Sequence, residues 1–285
     1  MRRKLLFAAA LLGLAGGFFI TVSCTVPDVP NVVMFAEPVG PPLPETCPPT
    51  EATTAVPTTT APTTEPTEPT EPPPEEILLE DIPFYTQQGL LPTGCELVSA
   101  KMVLEYYTDA EIPIQDIVDN IVCTYPQTKE GVACAPHPAQ AFIGNPWDPT
   151  SFGCFAPAIV DMMNELLPDG YCAIDTTGTP LIELAETYLP QETPVLVWAS
   201  INMLNLFPYR GWYLEDEDGN PTDEWYDWLA NEHCLVLVGY DADYYYFNDP
   251  YKYSAPVAYS REIVEEKNAM VGGYSIVVQM NDESR

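Results

Sequence analysis

Cys95 stands in the run Pro92-Thr93-Gly94-Cys95-Glu96, directly ahead of a helix-like segment. Far downstream lie Glu232-His233-Cys234 and Asn248-Asp249-Pro250. A thiolate, an imidazole and a carboxylate are the parts of a nucleophile, its general base and a group that orients the base. The chain has two histidines, His137 and His233, so the choice of base is nearly forced. A cysteine at a helix N-terminus has its thiolate stabilised by the helix dipole and by a nearby imidazolium. Gly94 lets the backbone turn sharply there and leaves the sulfur accessible. The Cys95 N–H would form half of an oxyanion hole, and a side-chain amide the other half, with Gln87 and Gln88 as candidates.

These side chains need elements to hold them. Residues 233–240 and 242–249 flank Asp241 as a hairpin. With Asp241 at its centre, His233 pairs with Asp249 on the neighbouring strand, Cβ atoms about 5 Å apart. That arrangement would fix the imidazole tautomer. Residues 95–107 read as a buried helix, capped by Thr93 or Gly94. Residues 112–122, 155–167 and 180–188 read as further helices, each with a proline in or near its first turn. Residues 81–87 read as a short strand entering a loop, and 124–154 as loop. Strands follow at 194–198, 234–240, 244–248 and 274–280. The aromatic and acidic stretch 205–232 reads as irregular. Helices first and strands later suit an α+β fold, with an antiparallel sheet packed on the Cys95 helix.

The chain has 285 residues, not all of them able to build a core. Residues 1–24 read as an export segment: Arg2, Arg3 and Lys4, an apolar run to Val22, then Ser23-Cys24. Cys24 fits a lipidated cysteine of a lipoprotein, although Thr21 matches that pattern poorly. A retained membrane anchor and an ordinary cleaved signal remain open. Residues 25–76, rich in Pro, Thr and Glu, read as a disordered stalk. Residues 77–285 are then one domain of ordinary size. A net charge of −32 argues against nucleic acid, whose phosphates need a basic surface. The expected location is extracytoplasmic, on the membrane or secreted.

Eight cysteines need sorting. Cys24 belongs to the export segment, Cys47 to the stalk and Cys95 to the proposed site. Cys123, Cys134, Cys154, Cys172 and Cys234 lie in the domain, and no pairing follows from their spacing. Cys234, flanked by an apolar run, reads as a buried free thiol. Cys123, Cys134 and His137 have a faint zinc pattern without an evident fourth ligand, so no metal is expected. His137 reads as a loop residue. Trp212, Trp225 and Trp228 either line a substrate groove or pack within a surface insertion. Asp161, Glu165 and Glu183 read as solvated.

The motifs together resemble the bacterial C39-like peptidases, relatives of the bacteriocin-leader peptidases within the papain-like group. The residues that carry the likeness are Ile82 to Gln87, Leu91 to Glu96, Ser99, Met102 to Tyr107, Phe142 to Pro146, Gly153 to Pro157, Pro194 to Trp198, Glu232 to Asp241 and Asn248 to Pro250. The resemblance implies a papain-like fold with Cys95 as nucleophile, His233 as base, Asp249 as orienting carboxylate and Gln87 as oxyanion donor. It also implies a peptide or protein substrate and no cofactor. The chain carries no GxxxxGK[ST] phosphate loop and no multi-span region, so an ATP-binding cassette in this chain is not expected. Rival expectations are a catalytically silent module that binds peptide or cell wall, and a transamidase of the same fold.

Overall fold

A computed structural model describes residues 75–281. The export segment 1–24 with Cys24, the stalk up to residue 74 and Cys47 lie outside the described residues. Among the described residues, no helix is long and apolar enough to cross a membrane.

In chain order the elements are β1 (Ile77–Leu78), α1 (Cys95–Thr108), α2 (Ile114–Asn120), β2 (Cys123–Thr124), β3 (Gln127–Lys129), β4 (Val132–Ala135) and β5 (Phe142–Ile143). They continue with α3 (Ala156–Leu166), β6 (Tyr171–Asp175), α4 (Leu181–Tyr188), β7 (Val195–Ser200), β8 (Phe207–Glu215) and β9 (Pro221–Ala230). The last are β10 (Glu232–Tyr240), β11 (Tyr244–Asn248), β12 (Val257–Ser260), α5 (Arg261–Val271) and β13 (Ser275–Met280).

The main sheet runs β12-β11-β10-β7-β13-β6, with β1 added to β10, and its neighbours are antiparallel. The fold is α+β, as the sequence pattern required. β7 and β10 are buried along their whole length, because helices cover both faces of the sheet. Cys234, Val236 and Val238 of β10 join Leu97, Val98 and Met102 of α1 and Ile159 of α3 in one core. Leu235 and Leu237 point the other way, onto Leu184 of α4 and Val264 of α5.

α1 is buried from Cys95 to Glu105, charges included. Lys101 pairs with Glu105 inside it. The Tyr85 hydroxyl and the Ile112 N–H donate to the same carboxylate at 2.6 and 2.7 Å, which ties α1 to the segments before and after it.

Three expectations are corrected. Residues 81–87 form no strand; Pro83 lacks a donor, and the segment is fixed instead by the Gln87 N–H donating to the Pro250 carbonyl at 2.8 Å. Residues 124–154 hold four short strands in whole or part, not loop alone. The stretch 205–232 holds the longest hairpin among the described residues, β8 with β9, in a second sheet ordered β3-β4-β8-β9. Trp212 and Trp228 face inward, with Phe152 5.0 and 5.6 Å from their rings. A single residue, Asn231 at φ +69°, separates β9 in the second sheet from β10 in the first.

Candidate active site

His233 follows the first residue of β10, and Asp249 follows the last residue of β11. The two side chains meet in a buried pair, His233 Nε2 to Asp249 Oδ1 at 2.7 Å. They do so without the expected register. Val236, not His233, is the β10 residue nearest the end of the ladder, opposite Asn248, and His233 pairs with Ala199 on β7. A bulge at Val238, between Leu237 and Gly239, and a wider turn, in which Asp241 Oδ1 accepts the Asp243 and Tyr244 N–H groups, shift the ladder. Asp249 reaches His233 diagonally from beyond its end.

Asp249 accepts from three donors in all. Oδ1 also accepts the Tyr251 N–H at 2.8 Å, and Oδ2 accepts the Tyr259 hydroxyl at 2.8 Å. Burial pushes this carboxyl up, but His233, Tyr251 and Tyr259 outweigh it and hold the group below the usual range. Tyr259 comes from β12, and its own hydroxyl is pushed up by burial and by Asp249. The carboxylate accepts, so Nε2 carries the proton and Nδ1 is the nitrogen left to act as a base.

Cys95 opens α1, as expected, but its surroundings differ. Gly94 precedes it without a side-chain cap and with ordinary negative φ. Glycine is needed because a Cβ there would lie 2.7 Å from the Leu91 Cβ. The sulfur is buried rather than accessible, and it donates to Glu96 Oε2 at 3.2 Å. Among the described residues, no hydrogen bond joins Cys95 to His233. Burial, then Glu96 and Glu232, push the thiol well above its ordinary value, which the Cys234 backbone only partly opposes. The expected depression by helix dipole and imidazolium is therefore reversed in this arrangement.

Gln87 lies in the turns that lead into α1. Its carbonyl accepts the Leu90 and Leu91 N–H groups, and its Nε2 donates to the Pro92 carbonyl at 3.2 Å. Oε1 is buried without a partner. A primary amide has two N–H donors, so one remains beyond the Pro92 bond. Gln88 instead reaches the Tyr251 carbonyl at 3.3 Å from a half-buried position.

Two buried acids escaped the sequence reading. Glu96 Oε1 accepts the Cys154 N–H at 2.8 Å, and a Cβ on Gly153 would lie 2.2 Å from that oxygen. Burial pushes the Glu96 carboxyl up to about 7 against the hydrogen bonds it accepts. Glu232 is raised well above the usual range by burial and then by Glu96. Both were legible: Glu96 interrupts an apolar helical run, and Glu232 shares the inward phase of Cys234, Val236 and Val238.

The remaining candidates fall outside this site. His137 accepts the Ala139 N–H at 3.1 Å and packs against Tyr226, a loop role as expected. Cys123 is exposed, and Cys134 donates to Glu215 at 3.3 Å. Cys234 is a buried free thiol. Asp161, Glu165 and Glu183 are exposed.

The order of the motifs on this fold matches a known family. The model of the Peptidase_C39 like family covers residues 79–275. The chain belongs to that family. Among C39-like relatives, the Bacillus subtilis (strain 168) protein named "Uncharacterized protein YvpB" is 24% identical over 215 residues, 70% of this chain and 75% of the relative. A crystal structure of a candidate C39-like peptidase from Bacillus anthracis superposes with a TM-score of 0.62 at 25% identity, covering 73% of this chain and 99% of that one. This chain thus has the α+β fold of a C39-like peptidase, as its motifs implied.

Proposed function

We propose that the protein is an exported, membrane-tethered cysteine peptidase that cleaves peptide or isopeptide bonds through a thioester acyl-enzyme. The observation that carries this reading is the buried His233–Asp249 pair at 2.7 Å, with both carboxylate oxygens occupied by further donors. An imidazole held this way has one orientation and one free nitrogen, as a general base requires.

In the proposed cycle the Cys95 thiol turns from Glu96 toward His233 and gives its proton to Nδ1. The sulfur attacks the substrate carbonyl carbon, and His233 passes the proton to the leaving amine. Water, deprotonated by His233, then cleaves the thioester and releases the acid. The Cys95 N–H, which has no acceptor within its helix, and the Gln87 amide would bind the oxyanion. Export rests on the residue 1–24 pattern and tethering on Cys24 or the apolar run before it.

One observation favours a second reading, a silent peptide- or cell-wall-binding module: the Cys95 thiol is buried, raised and bonded to Glu96. Alkylation by iodoacetamide across pH, mapped by mass spectrometry, separates the two. A peptidase would label at Cys95 down to roughly pH 5–6, below the ordinary thiol value of about 8.5, and lose this in His233→Ala. Labelling confined to alkaline pH, unchanged in His233→Ala, would sink the peptidase reading and move the binding module to first place. Products released with water or with an added amine distinguish hydrolysis from transamidation.

A further inference from the structure

Beside the His233–Asp249 pair lies a cluster with a different chemistry. Cys95, Glu96 and Glu232 are all buried, and one ligand atom from each lies within 4.8 Å of the others. Two carboxyls sit together here without a cationic side chain. The ion pairs among the described residues are Lys101–Glu105, Lys129–Glu215, His233–Asp249 and Lys267–Glu266, and none of them involves Glu96 or Glu232. A second observation is independent of that charge count. Glu232 is 8% exposed, and its Oε1 has no hydrogen-bond partner. A buried acceptor in that state is costly unless something electropositive satisfies it.

Glu96 is already oriented as a ligand would be. The Cys154 N–H holds Oε1 and turns Oε2 toward the sulfur at 3.2 Å. Such an outer hydrogen bond is what fixes carboxylate ligands in metal sites. We propose that Cys95, Glu96 and Glu232 form a reversible inhibitory site for a zinc ion. One thiolate with two carboxylates suits zinc, which binds sulfur at about 2.3 Å and oxygen at about 2.0–2.2 Å in a tetrahedron. That geometry puts sulfur and oxygen ligands roughly 3.5 Å apart, close to the Cys95–Glu96 separation. Magnesium and calcium demand more oxygen ligands and do not favour a thiolate.

Binding forms bonds from the sulfur and two carboxylate oxygens to the metal. The thiol proton and any carboxyl proton leave to solvent, and no electrons are transferred. A fourth position remains for water. The bound sulfur is held against Glu96, away from His233, and cannot attack. That the site inhibits rests on the peptidase reading, but that it binds zinc rests on the thiol cluster alone, so the readout is alkylation rather than turnover.

The test uses the tag-free full chain, zinc chloride as the probe, and iodoacetamide labelling of Cys95. Equimolar zinc is expected to protect Cys95, EDTA to restore labelling, and magnesium to have no effect. Glu232→Gln, judged against its own zinc-free labelling, should need at least tenfold more zinc for equal protection. Zinc should raise the melting temperature of the wild type and not of Cys95→Ser. Protection undiminished in Glu232→Gln, or none at tenfold excess of zinc, overturns the proposal. If Glu232→Gln does not fold, a zinc-dependent melting shift retained by Cys95→Ser overturns it equally. Zinc protection alongside reactivity that His233→Ala leaves unchanged would sink the peptidase reading and leave the metal site standing.

Discussion

At the scale of single residues, Asp249 is the strongest constraint on chemistry. It holds one imidazole nitrogen and so decides what the other can do. Asp249→Asn removes the charge and lets the amide misorient the ring. Turnover of a peptide substrate should fall on the order of 10²–10⁴-fold, with the folded near-UV signal retained. Tyr259 acts through Asp249 and gives a different signature. A carboxyl held below its usual range adds stability that is complete above its unfolded value of about 3.9 and is lost as pH falls toward the folded value. Tyr259→Phe removes one donor, so the folded value rises. The variant should be about 1 kcal/mol less stable at pH 7 and show a flatter acid limb in melting temperature against pH. An acid limb as steep as the wild type's would refute this link. That His233 and Asp249 meet was legible because chemistry limits which residue types can orient an imidazole, whereas preferring Gln87 to Gln88 took the family resemblance. Tyr259 was not, because nothing local marks β12 as a neighbour of Asp249.

Among the elements, α1 has the most to lose from a single change. Its Lys101–Glu105 pair is buried and also serves Tyr85 and Ile112. Glu105→Ala leaves a buried ammonium unpaired and should cost about 3–5 kcal/mol, read from denaturant midpoints. A cost below 1 kcal/mol would mean that water replaces the carboxylate. The β8–β9 hairpin makes the complementary case. Trp228 stacks on Phe155 with centroids 5.7 Å apart and is nearly buried. Trp228→Ala should cost about 3–5 kcal/mol, whereas Trp225→Ala on the exposed face should cost far less. Helices α1 to α4 and strands β7, β10, β11 and β13 could be read from their apolar periods. The hairpin could not, because Tyr209, Tyr213 and Trp225 on its outer face hide the alternation set by Trp212, Tyr226 and Trp228. Helix α5 was equally silent: Glu262, Glu265, Glu266 and Lys267 leave Ile263, Val264 and Val271 too sparse to register as a stripe.

For the whole molecule, the proposed tether predicts a fractionation result. Full-length chain should pellet with membranes, and Cys24→Ala should shift it toward the soluble fraction if lipid is the anchor. A mutant that still pellets would point to the apolar run before Cys24 instead. The fold itself carries a constraint of another kind. Asn231 is the single residue between β9 of the second sheet and β10 of the first, and its left-handed backbone sets which way Glu232 and His233 point. Adding one residue there would exchange the two, sending the acid outward and the imidazole under α1. The turn at 216–220 has no such role, since length gained there is spent before β9 begins to pair. Across related chains, insertions should therefore accumulate at that tip and be excluded at the joint, so that one end of the hairpin is free to diversify while the other works as a reading frame.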